Sequence, residues 1–155
     1  MSLDPRTGLD AARFGVYVHF PYCLSKCPYC DFASIAAKQI PEARYTAALE
    51  TELALRATQT DLRARPVESI FIGGGTPSLW SPALVGQLLE RLRATLWLAR
   101  GCEVTLEANP GAADAERFAA YRAAGVNRLS MGVQSFAPQT LASKPRSTRF
   151  SAAAR

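Results

Sequence analysis

Glu68-Ser-Ile-Phe-Ile-Gly-Gly-Gly-Thr-Pro77, followed after Ser78-Leu-Trp80 by Ser81-Pro82, sets the pattern of this chain: a short apolar run, a glycine turn, then a helix start. Ile70, Phe71 and Ile72 favour a strand. Ser81 suits an N-cap with Pro82 at the first helical position. The helix that follows reads to about Thr95, with Leu84, Leu88, Leu89 and Leu92 turned inward. The same unit recurs on both sides. Upstream, Gly15 to Phe20 reads as a strand, and Pro41 to about Arg56 as a helix with Tyr45, Ala48, Leu49 and Leu53 on one face. A polar connection runs from Thr58 to Pro66. Downstream, Glu103 to Glu107 is a strand, Asp114 to Ala124 a helix stopped by Gly125, and Arg128 to Val133 a fourth strand, with a short helix beginning near Pro138. The order βαβαβαβ predicts an α/β fold with a parallel sheet and right-handed crossovers. Two architectures fit, an open doubly wound sheet and a barrel of the TIM type. A closed barrel takes about 250 residues. Four strand–helix units supply half of one, so the expectation is a partial (β/α) barrel of the TIM type, not closed.

Bulk properties set bounds. Of 155 residues, 48% are hydrophobic, enough for one domain with a true core. The net charge is +5, yet the arginines are spread along presumed helix faces without a basic stripe. That distribution argues against a nucleic-acid partner. Met1 to Arg13 holds acids, a proline and no apolar run, so no signal peptide is expected. No segment is apolar for long enough to span a membrane. The expectation is a cytoplasmic protein without stable membrane insertion.

Three cysteines lie in one loop, Cys23-Leu-Ser-Lys-Cys27-Pro-Tyr-Cys30, directly after the first strand. So tight a spacing can bring three thiolates onto one face of an inorganic cluster. A [4Fe–4S] cube then keeps one iron without a protein ligand, and open positions mark reactive sites. The alternatives are weaker. A zinc site of three cysteines plus His19 lacks the second cysteine pair usual for zinc, since the remaining cysteine, Cys102, stands alone. Buried free thiols used as small apolar residues do not suit a loop holding Pro21, Lys26 and Pro28. A disulfide framework needs an exported chain.

Every unusual polar or glycine-rich cluster follows a strand: the cysteine loop, Gly73-Gly-Gly-Thr-Pro77, Glu107-Ala-Asn-Pro110 and Gln134-Ser-Phe136. In parallel α/β folds these ends share one face, where ligands bind. The glycines bare backbone N–H and C=O groups that could hold an ammonium, carboxylate or phosphate; a tight turn into the Ser81 helix is the alternative, but a single glycine would suffice for it, so the ligand-holding reading is preferred. No Gly-Lys-Ser/Thr follows, so the run is not a P-loop. Glu107 could accept from ribose hydroxyls or an ammonium, or simply be a solvated strand end. Gln134 offers a donor and an acceptor. Tyr29, beside the cysteines, could stack on a base. His19, the single histidine, reads as structural rather than as a ligand.

With these pieces in place the chain resembles the radical S-adenosylmethionine superfamily, marked by C-x3-C-x-aromatic-C, here Cys23, Cys27, Tyr29 and Cys30. It is most similar to the branch that holds oxygen-independent coproporphyrinogen III dehydrogenase and its haem-chaperone relatives. The matching text is Tyr17-Val-His-Phe-Pro-Tyr-Cys23, Gly73-Gly-Gly-Thr-Pro-Ser78, Glu107-Ala-Asn-Pro110 and Gly132-Val-Gln-Ser-Phe136. The resemblance implies that the three cysteines ligate a [4Fe–4S] cluster whose free iron chelates S-adenosylmethionine. It implies cofactor contacts at Tyr17, Tyr29, Gly74, Gly75, Thr76, Glu107, Gln134 and Arg146. In the radical enzymes an electron from the cluster cleaves the sulfonium to a deoxyadenosyl radical. The dehydrogenase carries a further cysteine two places after the third. Here Cys30 is followed by Asp31-Phe32, as in the haem chaperones. The implied function is haem binding and transfer to acceptor proteins, with an electron donor for the cluster and the enzymatic role left open.

The resemblance covers residues 14–143, read as the N-terminal part of a radical SAM core, after a 1–13 segment. Residues 144–155 hold four basic residues and no acid, a composition expected of a disordered tail. Lys144-Pro145-Arg146 stands where the family has Leu-Gly-Arg, and the family runs to more than twice this length. A truncated or frame-shifted reading frame is therefore expected, together with low stability and inactivity of the isolated chain.

Overall fold

The computed structural model describes residues 14–26, 30–109 and 114–132. In chain order the elements are β1 (Phe14–Phe20), β2 (Tyr22–Cys23), β3 (Ile35–Ala36), α1 (Glu42–Gln59), β4 (Val67–Gly74), a 3₁₀ turn (Pro77–Leu79), α2 (Pro82–Thr95), β5 (Leu98–Ala108), α3 (Ala115–Ala124) and β6 (Arg128–Met131). The expected units are present; β1, β4 and β5 are longer than read from the sequence, while β6 ends at Met131. Val133 and the helix expected near Pro138 lie outside the described residues.

Topology decides between the two architectures. The main sheet has the order β1-β4-β5-β6, and every pairing is parallel. Each strand therefore lies beside its predecessor, and α1 packs on α2 as α2 packs on α3. A doubly wound sheet would reverse its order and divide its helices between two faces. Winding in one direction with neighbouring helices is the start of a (β/α) barrel, here four strands and unclosed.

The alternation of each strand separates two faces. Val18, Ile72, Leu106 and Leu129 form one register row, and Tyr17, Phe71, Thr105 and Arg128 the next. The first row faces the helices. There Phe20, Ile70, Ile72 and Leu106 are fully buried with Val85, Leu88, Leu89, Leu92 and Tyr121. Each such side chain contributes about 1.5–3 kcal/mol. Leu84 is half-buried and Val85 takes the inward place, so the stripe on α2 is rotated slightly from the one expected.

Two details on the helices differ from the reading of the sequence. Ser81 occupies the N-cap position of α2, but its hydroxyl makes no capping bond. Glu42 of α1 serves this end instead, its Oε2 accepting from the Ser81 N–H at 2.6 Å. On α1, Ala48 is exposed and Thr46 is buried. Thr46 Oγ1 accepts from the Trp80 indole N–H at 3.1 Å and donates to the Glu42 carbonyl at 2.9 Å. A buried hydroxyl with two partners is tolerated where an unpaired one is not. Asp114 caps α3 by accepting from the Arg117 N–H at 2.9 Å.

Candidate metal and cofactor site

The cysteine loop sits directly on the glycine run. β1 ends at Phe20, and the chain crosses the end of β4 before reaching Cys23. The Gly75 N–H donates to the Phe20 carbonyl at 2.7 Å, and the Thr76 N–H to the Tyr22 carbonyl at 2.8 Å. A Cβ on Gly75 would fall 2.6 Å from the Tyr22 oxygen and 3.0 Å from Cys23 Sγ. Gly74 has φ 121°, which disfavours any side chain, and a Cβ there would meet the His19 ring at 2.8 Å. The run is thus a seat for the loop, a stronger reason for glycines than a tight turn.

That seat uses the donors that a ligand was expected to find. The Gly74 N–H goes to Glu107 Oε2 at 3.1 Å, and those of Gly75 and Thr76 to the carbonyls just named. An anionic group therefore does not find these amides open. Glu107 is an acceptor at the strand end, held in place by Gly74. Thr76 Oγ1 donates to Cys23 Sγ at 3.4 Å.

Beneath the loop lies an aromatic cluster. Phe20 stacks on Trp80 with centroids 4.9 Å apart, while Tyr22 and Tyr45 meet edge-on at 5.5 Å. Burial pushes the Tyr45 phenol above its ordinary value. The turn after the glycines is fixed from α3. Arg117 Nε donates to the Ser78 carbonyl at 3.0 Å, and Nη2 to those of Leu79 and Trp80 at 2.7 and 2.9 Å. Tyr121 also donates to the Trp80 carbonyl. None of Trp80, Tyr45, Tyr22 and Arg117 was singled out from sequence as part of the site. The one available signal was Trp80, a large aromatic five residues beyond a glycine run.

Of the residues expected in the site, the structure brings together Gly74, Gly75, Thr76, Glu107 and Cys23 at the ends of β4 and β5, with Tyr17 beside them from the middle of β1 and Cys30 in the same loop as Cys23. Cys27, Tyr29, Gln134 and Arg146 lie outside the described residues. Tyr17 is 58% exposed, so its ring is open to a ligand. Burial and then the Glu107 carboxylate raise its phenol above the ordinary value. Both ring nitrogens of His19 have partners: Nδ1 lies 3.0 Å from the Tyr17 hydroxyl and Nε2 2.7 Å from the Ala33 carbonyl. Cys102 lies in β5, far from the loop in sequence, and burial raises its thiol.

Fit to an iron–sulfur cluster rests on the donor set. Cys23 and Cys30 are free, half-buried thiols. Soft thiolates in one loop suit iron–sulfur chemistry. Among the described residues no three His, Cys, Asp or Glu side chains converge on one point, and the third cysteine of the loop is not among them. No helix among the described residues is long and apolar enough to cross a membrane.

Comparison with known proteins agrees with this arrangement. The chain is 48% identical to the heme chaperone HemW of Escherichia coli over 127 residues, 81% of this chain and 33% of that protein. It is 47% identical to the Haemophilus influenzae heme chaperone HemW over 78% of this chain and 32% of the relative. It is 51% identical to the mitochondrial radical S-adenosyl methionine domain-containing protein 1 of Bos taurus, over 79% of this chain and 27% of the relative. The chain thus spans about a third of the length of these relatives. Among solved structures it is similar to the coproporphyrinogen III oxidase HemN of Escherichia coli, described as a radical SAM enzyme, with a TM-score of 0.75 and 32% identity over 84% of this chain and 30% of that one. The profile of the Radical SAM superfamily matches residues 17–151, and with the cysteine loop seated at the strand ends of a partial barrel, the chain belongs to that superfamily.

Proposed function

We propose that this chain carries the cluster- and S-adenosylmethionine-binding part of a haem-chaperone-like protein. The observation that carries the proposal is the seat: Gly75 and Thr76 donate to the Phe20 and Tyr22 carbonyls, and Thr76 Oγ1 donates to Cys23 Sγ at 3.4 Å, which brings the leading thiol onto the strand ends. Cys23, Cys27 and Cys30 would hold a [4Fe–4S] cluster. When bound, such a cluster supplies an electron and an iron with an open coordination position. The chain's own residues supply orientation. The Glu107 carboxylate, anchored by Gly74, would accept from the hydroxyl or ammonium groups of S-adenosylmethionine. The exposed Tyr17 ring would pack against it, and the glycine run would form its floor. Tyr29, Gln134 and Arg146 would complete the contacts.

Haem would be the cargo, passed to acceptor proteins, with a reduced partner feeding the cluster. Asp31-Phe32 after Cys30, and the similarity to proteins named as heme chaperones, support this reading. A second reading, an oxygen-independent coproporphyrinogen III dehydrogenase, is supported by the likeness to HemN in fold.

The test is anaerobic reconstitution with iron and sulfide, followed by the EPR spectrum of the reduced form with and without S-adenosylmethionine. A cluster signal that changes on addition is expected. A signal indifferent to it would overturn the cofactor assignment. Haemin titration of a full-length relative separates the two readings: a Soret shift supports the chaperone, and consumption of a porphyrinogen with release of deoxyadenosine supports the enzyme.

A further inference from the structure

The two limbs of the cysteine loop are held very differently. The leading limb, through Cys23, is pressed onto the glycines and the aromatic cluster. The trailing limb, from Cys30 onward, has little apolar packing: Phe32 and Ile35 are 64% and 57% exposed. A two-residue parallel ladder ties it, with the Ile35 N–H on the Pro21 carbonyl at 2.7 Å and the Ala37 N–H on the Cys23 carbonyl at 2.8 Å. Lys26 adds a bond from within the loop to the Phe32 carbonyl at 3.3 Å. These bonds join the loop to itself. Among the described residues, the side-chain bond from the main sheet to this limb is the one from His19.

We propose that His19 is a positioning residue that anchors the trailing limb, and with it Cys30, to the sheet. The Ala33 carbonyl accepts and cannot donate, so the hydrogen of the imidazole is on Nε2. The Tyr17 hydroxyl then donates to Nδ1, which selects that tautomer. Tyr45 donates to the His19 backbone carbonyl at 2.5 Å and so holds the main chain at this residue. The space against the ring exists because Gly74 has no Cβ. Tyr17 and Gly74 thus fix the imidazole, and the imidazole fixes Ala33, three residues after Cys30. Its importance for cluster loading rests on the function proposed above; the anchoring itself does not.

The experiment is hydrogen exchange of the cluster-free chain, with iron uptake measured in parallel. Three variants are compared: His19→Ala, His19→Asn and His19→Gln. The glutamine amide reaches close to the place of Nε2, and that of asparagine falls short. Exchange at Ile35 and Ala37 is expected to rise about tenfold in the alanine and asparagine variants and to stay near wild type in the glutamine variant. Ile70 and Leu106, in the core strands, should not change. Exchange at Ile35 and Ala37 that is unchanged in His19→Ala, or equally raised in His19→Gln, would overturn the proposal. If His19→Ala loses protection throughout, Tyr17→Phe replaces it, because it keeps the imidazole and removes the hydroxyl that selects the tautomer; a rise confined to the trailing limb supports the anchor, and no rise overturns it. If the exchange pattern is as expected while wild type takes up no iron and sulfide, the anchor stands and the cluster reading fails.

Discussion

The two faces of one sheet are built to opposite rules. On the helix side, β1, β4 and β5 present Phe20, Ile72 and Leu106, all fully buried. The other face presents Tyr17, Gly73 and Glu107 in close approach, with the Glu107 carboxylate accepting from the Gly74 N–H. The first face resists a change of volume, because neighbours must collapse into a cavity. The second resists the addition of a single carbon, because the Phe71, Tyr17 and Glu107 side chains stand where it would go at Gly73, and backbone oxygens at Gly74 and Gly75. The contrast teaches that fold and site share a backbone yet fail by different substitutions.

The largest effect should come from the helix side. Trp80→Ala removes an indole that is fully buried and stacked on Phe20. A loss of about 3–5 kcal/mol is expected in urea unfolding, and a loss under 1 kcal/mol would show that the aromatic cluster is not part of the core. Next comes the seat. Gly75→Ala places a Cβ 2.6 Å from the Tyr22 oxygen, so the loop must lift. About 1–3 kcal/mol is expected. Alkylation of Cys23 should also quicken, and an unchanged rate would place the loop elsewhere.

Alkaline pH sharpens the same contrast. Burial raises the Tyr121 phenol above its ordinary 10.0, and Arg117 opposes part of that shift. The folded protein thus holds this proton after the unfolded chain has released it. Stability from this group is complete below pH 10 and falls as pH rises through the folded value. Tyr121→Phe should flatten that decline in a series of thermal melts from pH 9 upward, and an unchanged slope would assign the decline to the other phenols. The smallest effect is a gain. Gly86 lies inside α2, where a Cβ would meet Ala124 Cβ at an ordinary 3.4 Å. Gly86→Ala should add about 0.5–1 kcal/mol by helix propensity, read as a raised melting temperature.

The sequence was most readable where a period repeats. Strand alternation and the leucines of α2 located the elements, and the clusters after each strand located the functional end. What stayed hidden depends on distance along the chain. Whether strands wind in one direction or two is decided by which helices touch, and no local pattern records that. Glu42 serving Ser81, Arg117 holding the Ser78–Trp80 carbonyls and His19 reaching Ala33 all join residues whose separation has no periodic mark. The glycine run was seen for its bareness. Its task, to let a neighbouring loop lie upon it, required knowing which loop arrives.

The sequential strand order also bears on how the molecule is made. Each strand is placed against one that has already left the ribosome, so the sheet can grow in the direction of synthesis. Cys23 waits for Thr76, 53 residues later in the chain, and gains its seat only when β4 is complete. Closing a loop of that length carries an entropic cost that rises slowly with size, and α1 shortens the span by folding within it. The Cys23 thiol is therefore without its Thr76 partner during the interval in which the first crossover is built. A cell that loads metal on the emerging chain would meet that thiol then, before it is seated.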